Sequence, residues 1–158
     1  MARLNVNCGT FRCARGEFHP TGEMQELGPR ANPRELVTGD TMSARLFVGL
    51  SVKSKPTWTL ADVVKRVSKL RNKQTGDPSS SFIAQTGVYK HHDGRRVVTE
   101  KSVQVVIINF HGGTIEDFTD QITDIGETLS KQLKQESVIV ETQVNGVTKQ
   151  IWTVTPEK

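Results

Sequence analysis

The sequence has few aromatic residues and very little cysteine. Aromatics make up 6% of the 158 residues, and the cysteines are Cys8 and Cys13. Two cysteines cannot form the disulfide framework of a small secreted module. No apolar run reaches the ~18 residues that a membrane-spanning helix needs, and the N-terminal residues lack the apolar segment of a secretory signal. These absences exclude a disulfide-rich module and a helical membrane protein, so we expect a cytoplasmic protein without a membrane partner.

Positive charge is in excess, but it is concentrated in one segment. The formal net charge is +4, from 21 Lys and Arg against 17 Asp and Glu. Residues 53–73 contain seven basic residues and a single acid, Asp62, whereas residues 116–127 contain five acids and no base. The sequence therefore describes a basic segment and an acidic segment, not a uniformly basic protein.

Apolar periodicity predicts seven regular elements after residue 42. Strict alternation is typical of strands, and spacings of three and four residues are typical of helices. Asp93-Gly94 and Asn145-Gly146 indicate tight hairpin turns with positive φ at both central residues. The predicted elements are a strand at 46–52, a helix that starts after Thr59 and ends at Gly76-Asp77-Pro78, strands at 82–91 and 96–110, a helix from Thr114 to Leu133, and strands at 138–144 and 147–154.

This order of elements predicts an α+β domain with a ferredoxin-like fold. A β-α-β-β-α-β unit places two helices on one face of an antiparallel sheet, and the C-terminal hairpin adds one strand. Residues 1–41 contain scattered glycine and proline without sustained periodicity. We therefore predict an irregular N-terminal arm at residues 1–41, with at most one short strand at residues 3–7, and a folded domain at residues 42–158.

Three short segments resemble those of a known family. They are Leu46-Phe47-Val48-Gly49-Leu50, Asp93-Gly94-Arg95-Arg96-Val97-Val98 and Gln135-Glu136-Ser137-Val138. Together they resemble a small uncharacterised bacterial family, a domain of unknown function with a ferredoxin-like fold. The chain departs from that family in its first helix, which reads Leu60-Ala61-Asp62-Val63, and in its arm and final hairpin. The resemblance implies the fold and, because the family has no established activity, no catalytic residue.

Candidate metal ligands are few and poorly spaced. Cys8, Cys13 and His19 offer at most three ligands, and their spacing differs from that of zinc-binding pairs. His91 and His92 lie beside the predicted turn and point to opposite faces of the strand, while His111 lies at the far end of the next strand. We therefore predict no metal and no cofactor.

The sequence also shows no set of residues for covalent or acid–base catalysis. No nucleophile motif is present. Asp62 and Glu100 are isolated acids among basic residues, for which we expect ion pairs. The turn at Phe110-His111-Gly112-Gly113-Thr114 has the glycines of a phosphate-binding loop, but the next two residues are acidic and would repel an anion. We predict no catalytic residue.

Two surfaces remain as candidate binding sites. The basic residues of the first helix would neutralise the phosphates of a nucleic acid. They are Lys65, Arg66, Lys69, Arg71 and Lys73. The sheet face opposite the helices is expected to present Phe47, Tyr89 and Trp152, an apolar patch too large to leave uncovered in a monomer. A second copy of the chain, an apolar ligand or the N-terminal arm would cover this patch.

From these surfaces we expect a non-catalytic binding or interaction protein that forms a homodimer through its sheet face. Two alternatives stay open. The first is a small dimeric ferredoxin-like enzyme with an apolar pocket, and the second is a nucleic-acid binder that uses the basic first helix. A different protein as partner is also compatible with the apolar patch.

Overall fold

The computed structural model describes residues 4–6, 17–27, 40–71, 81–109 and 113–156. These residues form strands, two α-helices and the turns between them. In chain order the elements are β1 (Leu4–Val6), β2 (Glu17–Leu27), β3 (Met42–Gly49), β4 (Ser51–Val52), β5 (Lys55–Pro56), α1 (Leu60–Lys69), β6 (Phe82–Asp93), β7 (Arg96–Asn109), α2 (Ile115–Gln132), β8 (Val138–Val144) and β9 (Val147–Val154).

Seven of the strands form one antiparallel sheet in the order β1-β9-β8-β3-β7-β6-β2. Its inner part, β8-β3-β7-β6, contains the fourth, first, third and second strands of the predicted β-α-β-β-α-β unit. The C-terminal hairpin adds β9 beside β8, and β1 and β2 pair with the outer strands. The prediction of an α+β, ferredoxin-like fold with an added strand is confirmed.

The core lies between the helices and one face of the sheet. Along β3 the residues alternate between buried and half-buried, and Leu46 is fully buried. Its cross-strand partners, Val105 and Val140, are buried on the same face. Val67 of α1 and Ile122 of α2 belong to the same cluster, so both helices cover this one face, as predicted. Full burial of one such aliphatic side chain contributes about 2 kcal/mol of hydrophobic free energy.

The start of α1 follows the predicted pattern, and its end does not. The Thr59 hydroxyl accepts a hydrogen bond from the backbone N–H of Asp62, and the Asp62 carboxylate accepts one from the backbone N–H of Thr59. This capping box holds the pKa of Asp62 below its usual value, chiefly through the bond from the Thr59 backbone. The helix ends at Lys69 because Leu70 takes an extended conformation, so it does not reach Gly76-Asp77-Pro78, which lies outside the described residues.

The two hairpin turns differ from each other. Asn145 and Gly146 have φ of 50° and 77°, as the predicted turn requires. At the other turn Gly94 has a positive φ of 61° and Arg95 does not, so the expectation of positive φ at both central residues is wrong there. A glycine at the first central position is typical of the type II′ turn, which needs positive φ only at that residue.

Part of the predicted N-terminal arm is regular. Residues 4–6 and 17–27 are strands. The first lies within the short strand predicted at residues 3–7, and the description of the arm as irregular is wrong for residues 17–27. β2 pairs with β6 over most of its length, with a register shift between Pro20 and Met24. The shift interrupts the alternation that reveals a strand in sequence, and proline is tolerated in an outer strand. The domain boundary after residue 41 stays a prediction.

Candidate functional site

A row of small residues crosses the sheet near the end of β3. Gly49, Ser102 and Gly87 are successive cross-strand partners on β3, β7 and β6, and Pro20 of β2 continues the row. Glycine inside a strand marks a sharp bend or a close approach of another group. Beyond the row β6 and β7 continue as a hairpin, and β3 ends. The row therefore lies where the hairpin leaves the main body of the sheet.

The sheet curls at this row toward the face that the helices leave open. Phe18 on β2 is the cross-strand partner of Tyr89 on β6, whereas Phe47 on β3 lies level with Gln85 of β6. Phe18 and Phe47 are therefore separated by three strand spacings across the sheet and by about four residues along the strands. In a flat sheet their Cα atoms would be roughly 20 Å apart. The centroids of the two rings are 5.8 Å apart. The distal part of the β6–β7 hairpin, together with β2, therefore folds over Phe47.

Four rings meet inside this curl, and we call them the aromatic row: Phe18, Phe47, Tyr89 and His91. Adjacent centroids are 5.8 Å apart for Phe18–Phe47, 5.7 Å for Phe47–Tyr89 and 5.7 Å for Tyr89–His91, with the rings tilted. Although neither of the two described helices lies on this face, Tyr89 is only 6% exposed. Tilted rings at this distance attract one another, and their faces also attract planar bases and cations.

Two buried polar atoms belong to residues at this curl. They are Nδ1 of His91 and the hydroxyl oxygen of Ser102, and neither has a hydrogen-bond partner among the described residues. Ser102 shares the open face with its partners Gly49 and Gly87. Buried polar groups in folded proteins are almost always paired. A bound ligand that hydrogen-bonds to these two atoms would supply the missing partners.

A carboxylate lies next to the aromatic row. Glu100 of β7 is the cross-strand partner of Tyr89, and its side chain is exposed. Cross-strand partners have Cβ atoms about 5 Å apart, so this carboxylate reaches the space beside the Tyr89 ring. The ion pairs expected at Asp62 and Glu100 are not seen within the described ranges, because Asp62 caps α1 and Glu100 extends into solvent. Glu100 is therefore available to a positively charged ligand.

A second polar cluster lies elsewhere on the open face. Oε1 of Glu141 accepts hydrogen bonds from Nε2 of Gln143 (2.8 Å) and from the Thr148 hydroxyl (2.6 Å). Arg45 of β3 is the cross-strand partner of Glu141. Oppositely charged cross-strand partners stabilise a sheet modestly. Because Glu141 already accepts two bonds from its neighbours, this cluster serves the sheet itself.

Two of the three residues predicted on the open face of the sheet lie there, and the third lies on the opposite face. Phe47 and Tyr89 lie on the open face, in the aromatic row. Trp152 does not, because it is 1% exposed and is the cross-strand partner of the buried Val140. Adjacent positions of a strand point to opposite faces, and Trp152 occupies the position that points to the helices. Its assignment to the open face is corrected accordingly.

One residue of the basic patch of the first helix, Arg66, contacts other residues of the protein. The structure describes four of its five residues, Lys65, Arg66, Lys69 and Arg71, and Lys73 lies outside the described residues. The Arg66 guanidinium lies 4.5 Å from the centre of the Trp58 ring and donates a hydrogen bond to the carbonyl oxygen of Asp62. Trp58 in turn donates its indole N–H to the carbonyl oxygen of Leu133, at the end of α2. Arg66 thus helps to join α1 to α2, and nucleic-acid binding by the patch stays a prediction.

Of the remaining candidate ligands, the structure describes His19, His91 and His92. Cys8, Cys13, Phe110 and His111 lie outside the described residues. Nε2 of His19 lies 3.4 Å from the Glu17 carboxylate on the same strand. Within the described ranges no three His, Cys, Asp or Glu side chains are grouped as a metal site requires.

Comparisons with known proteins point to an enzyme. No family model matches the chain, and no curated protein matches it. Among solved structures, a phage SAM lyase in complex with S-methyl-5′-thioadenosine is 44% identical, with a TM-score of 0.65, over 80% of this chain and 98% of that chain. A phage SAM lyase in the apo state is 43% identical, with a TM-score of 0.64 and the same coverage.

These matches overturn the expectation of a non-catalytic binding protein, because the proteins matched are enzymes. The similarity extends over nearly the whole length of the matched chains and is therefore not confined to one motif. In the described part of the chain, no helix is long and apolar enough to span a membrane. Self-association, a cytoplasmic location and the resemblance to the uncharacterised bacterial family stay predictions.

Proposed function

Because the chain belongs to the phage SAM lyase family, we propose that it cleaves S-adenosylmethionine and releases S-methyl-5′-thioadenosine. The observation that carries this proposal is the 44% identity to a SAM lyase over 98% of that chain. The name of that structure gives both the activity and a bound thioether that contains the adenosine part of the substrate. As the site of the reaction we propose the aromatic row, Ser102 and Glu100.

The chemistry of the site suits the substrate. S-adenosylmethionine carries a flat adenine, a sulfonium cation, and an ammonium and a carboxylate on its amino-acid part. Stacking of a base on an aromatic side chain contributes about 1–3 kcal/mol, and a cation over a ring about 0.5–2 kcal/mol. The half-buried ring of Phe47 supplies such a surface, with the buried ring of Tyr89 packed against it. Ser102 and His91 supply the hydrogen-bonding atoms that a nucleoside needs.

Release of the thioether requires no nucleophile from the protein. The bond between the sulfonium sulfur and Cγ of the amino-acid part breaks, and its electron pair stays on sulfur, which becomes neutral. A carboxylate oxygen of the same substrate attacks Cγ and closes homoserine lactone, while the ammonium keeps its proton. Atoms and charge balance without water or any other reactant. The enzyme must therefore fold the substrate into a reactive conformation and keep water away.

The curled sheet supports both requirements. The step neutralises a carboxylate and a sulfonium, so it proceeds faster where water does not solvate the two charges. The aromatic row provides an apolar wall with Tyr89 only 6% exposed. We assign Glu100 to the substrate ammonium, whose charge does not change during the step. Such a contact binds substrate and transition state equally and acts mainly on KM.

The test is product formation by the purified protein. S-adenosylmethionine is added, the thioether is followed by liquid chromatography, and the four-carbon product is identified by NMR. We expect the thioether and the lactone in equal amounts, whereas 2-amino-3-butenoate would indicate elimination by a base. A protein that leaves S-adenosylmethionine intact would overturn the proposal.

Two variants then test the site. We expect Tyr89→Ala to lower kcat/KM about 30-fold, because Phe47 loses the ring that packs against it and water enters the apolar site. We expect Glu100→Gln to raise KM about tenfold and to keep the wild-type melting temperature, because the side chain is exposed. The matched control is Val147→Ala, which changes a 60% exposed side chain on β9. Wild-type kinetics in both site variants would place the reaction elsewhere.

A further inference from the structure

The N-terminal strand β2 contributes a side chain to the aromatic row. Its residues pair with β6 in the register Phe18 to Tyr89 and His19 to Val88. Cross-strand partners share a face, so Phe18 lies on the open face with Tyr89, and His19 lies on the opposite one. The Phe18 ring extends from there to Phe47, at 5.8 Å. A residue of the predicted arm is thus part of the proposed site.

Gly87 of β6 provides the space for this ring. A Cβ atom at position 87 would lie 2.5 Å from Cε2 of Phe18 and 2.5 Å from the carbonyl oxygen of His19. Side chains do not approach a ring or a backbone oxygen so closely without displacing it. The Phe18 ring therefore lies directly against the backbone of β6. At the register shift, a side chain at Gly22 would likewise collide with the Thr86 hydroxyl, so β2 is closely fitted to β6 at two places.

This fit determines the surroundings of Tyr89. The centroid of its ring lies 5.7 Å from that of Phe47 and 5.7 Å from that of His91. Its cross-strand partner on β2 is Phe18. Phe47 in turn touches both Phe18 and Tyr89. Without the Phe18 side chain, Phe47 and Tyr89 would lose a neighbour that they share. Their rings would become more exposed on the side of β2. As the cross-strand partner of Tyr89, Phe18 lies beside it on the open face.

We infer that β2 is a built-in wall of the proposed site and that Phe18 is a positioning residue, which holds the rings of Tyr89 and Phe47 in the orientation that binds S-adenosylmethionine. This inference rests on the proposed function, since it assigns a role in the same site. Phe18 affects the substrate only by orienting the neighbouring rings. The missing side chain of Gly87 leaves the space that the Phe18 ring occupies.

The first test separates a positioning role from a structural one by steady-state kinetics with S-adenosylmethionine. We expect Phe18→Ala to raise KM about fivefold and to change kcat less than about twofold, because ring packing is lost but the reacting groups remain. We expect Phe18→Tyr, which keeps the ring, to restore the wild-type KM. A purely structural loss would lower the active fraction, hence kcat, and leave KM unchanged. The matched control is His19→Ala, on the other face of the same strand.

The second test uses the fit between Phe18 and Gly87. We expect Gly87→Ala to raise KM about as much as Phe18→Ala, because the added methyl group displaces the ring. In the double variant, Phe18→Ala with Gly87→Ala, the new methyl group at residue 87 has no Phe18 ring to displace. The combined effect should therefore be clearly smaller than the product of the two single effects. Independent effects that multiply would overturn the inference.

A third measurement reports on Tyr89 without any turnover. Tyr89 is the only tyrosine of the chain, so incorporation of 3-fluorotyrosine gives one fluorine NMR signal. We expect Phe18→Ala to shift this signal and His19→Ala to leave it in place. An active wild type with unchanged KM and an unchanged fluorine signal in Phe18→Ala would overturn this inference alone. A wild type that forms no thioether would overturn the proposed function and, with it, the role assigned to Phe18.

Discussion

The two faces of the sheet carry different kinds of residue on the same strands. On β3, Ala44, Leu46 and Val48 point to the helices and are fully buried, whereas Arg45 and Phe47 point to the open face and are half-buried. The helix face is filled with aliphatic side chains from both layers. The open face collects rings and polar groups at a place where the sheet curls. Packing of two layers explains the first face, and ligand binding is the function we propose for the second.

From this comparison we expect stability and the proposed activity to depend on alternate residues of a strand. Because successive strand residues point to opposite faces, a shift of one position moves a substitution from one face to the other. Leu46 and Phe47 are such neighbours, on one strand and with the same backbone surroundings. Substitution of each should therefore affect a different measured quantity, which the following predictions test.

The largest effect is expected on the helix face. Leu46→Ala removes a fully buried side chain from the centre of the core, so the free energy of unfolding should fall by about 3 kcal/mol. Urea denaturation followed by circular dichroism measures this loss. The KM for S-adenosylmethionine, determined on the protein that remains folded, should not change. A raised KM would show that the two faces are coupled.

The neighbouring residue should show the opposite result. Phe47→Ala removes the ring that touches both Phe18 and Tyr89, and we expect kcat/KM to fall about 20-fold. Because Phe47 is only half-buried, the free energy of unfolding should fall by about 1–2 kcal/mol, less than for Leu46→Ala. Phe47→Leu is the control, since it keeps an apolar side chain without an aromatic face. A stability loss larger than that of Leu46→Ala would contradict the division between the faces.

Most of the helix face could be predicted from the sequence, because its signals are local. The Thr59–Asp62 capping box, the Asn145-Gly146 turn and the alternation along β3 each lie within a few residues, and each is found where the pattern predicts it. Such signals fix the type of element and its buried side. The ferredoxin-like arrangement then follows from the order of the elements.

The open face could be predicted only in part, because its signals are distributed over the chain. Phe47 and Tyr89 were expected there, but Phe18 lies on a strand that a register shift and Pro20 conceal. The curl depends on small residues of different strands that meet only in the folded sheet. Glu100 was read as an ion-pair partner, since no sequence pattern links it to Tyr89. The reaction we propose needs no nucleophile from the protein, so it also leaves no nucleophile motif in the sequence.

A smaller effect on stability is expected where the β8–β9 turn meets the residues before β3. Asn145 Oδ1 accepts a hydrogen bond from the backbone N–H of Thr41, and its Nδ2 donates one to the Asp40 carboxylate. Asn145→Gly keeps the turn, because glycine tolerates the φ of 50°, and removes only these bonds. We expect a loss of about 1 kcal/mol in thermal or urea unfolding, with unchanged lyase kinetics. An unchanged free energy of unfolding would show that the bonds to residues 40 and 41 add no stability.

The smallest effect concerns the cap of α1 and depends on pH. The pKa of Asp62 is lowered in the folded protein, so its carboxylate stabilises the fold at every pH above the pKa of the unfolded chain. The contribution is lost as the pH falls below about 4 and passes through the lowered pKa of the folded protein. Asp62→Ala should therefore melt at a lower temperature than the wild type at pH 6, and the difference should close toward pH 3.

Thr59→Ala is the matched control for this titration. The Thr59 hydroxyl accepts a hydrogen bond from the backbone N–H of Asp62, which does not titrate, and donates one to the Asp62 carboxylate, which does. Thr59→Ala should therefore lose about 1 kcal/mol at pH 6, and its melting difference from the wild type should close only in part at pH 3, because the bond to the backbone N–H remains in the wild type. Calorimetry at both pH values measures the two differences. If the difference for Asp62→Ala is equally large at pH 6 and pH 3, the carboxylate does not stabilise the helix through its charge, and the cap acts through its neutral hydrogen bonds alone.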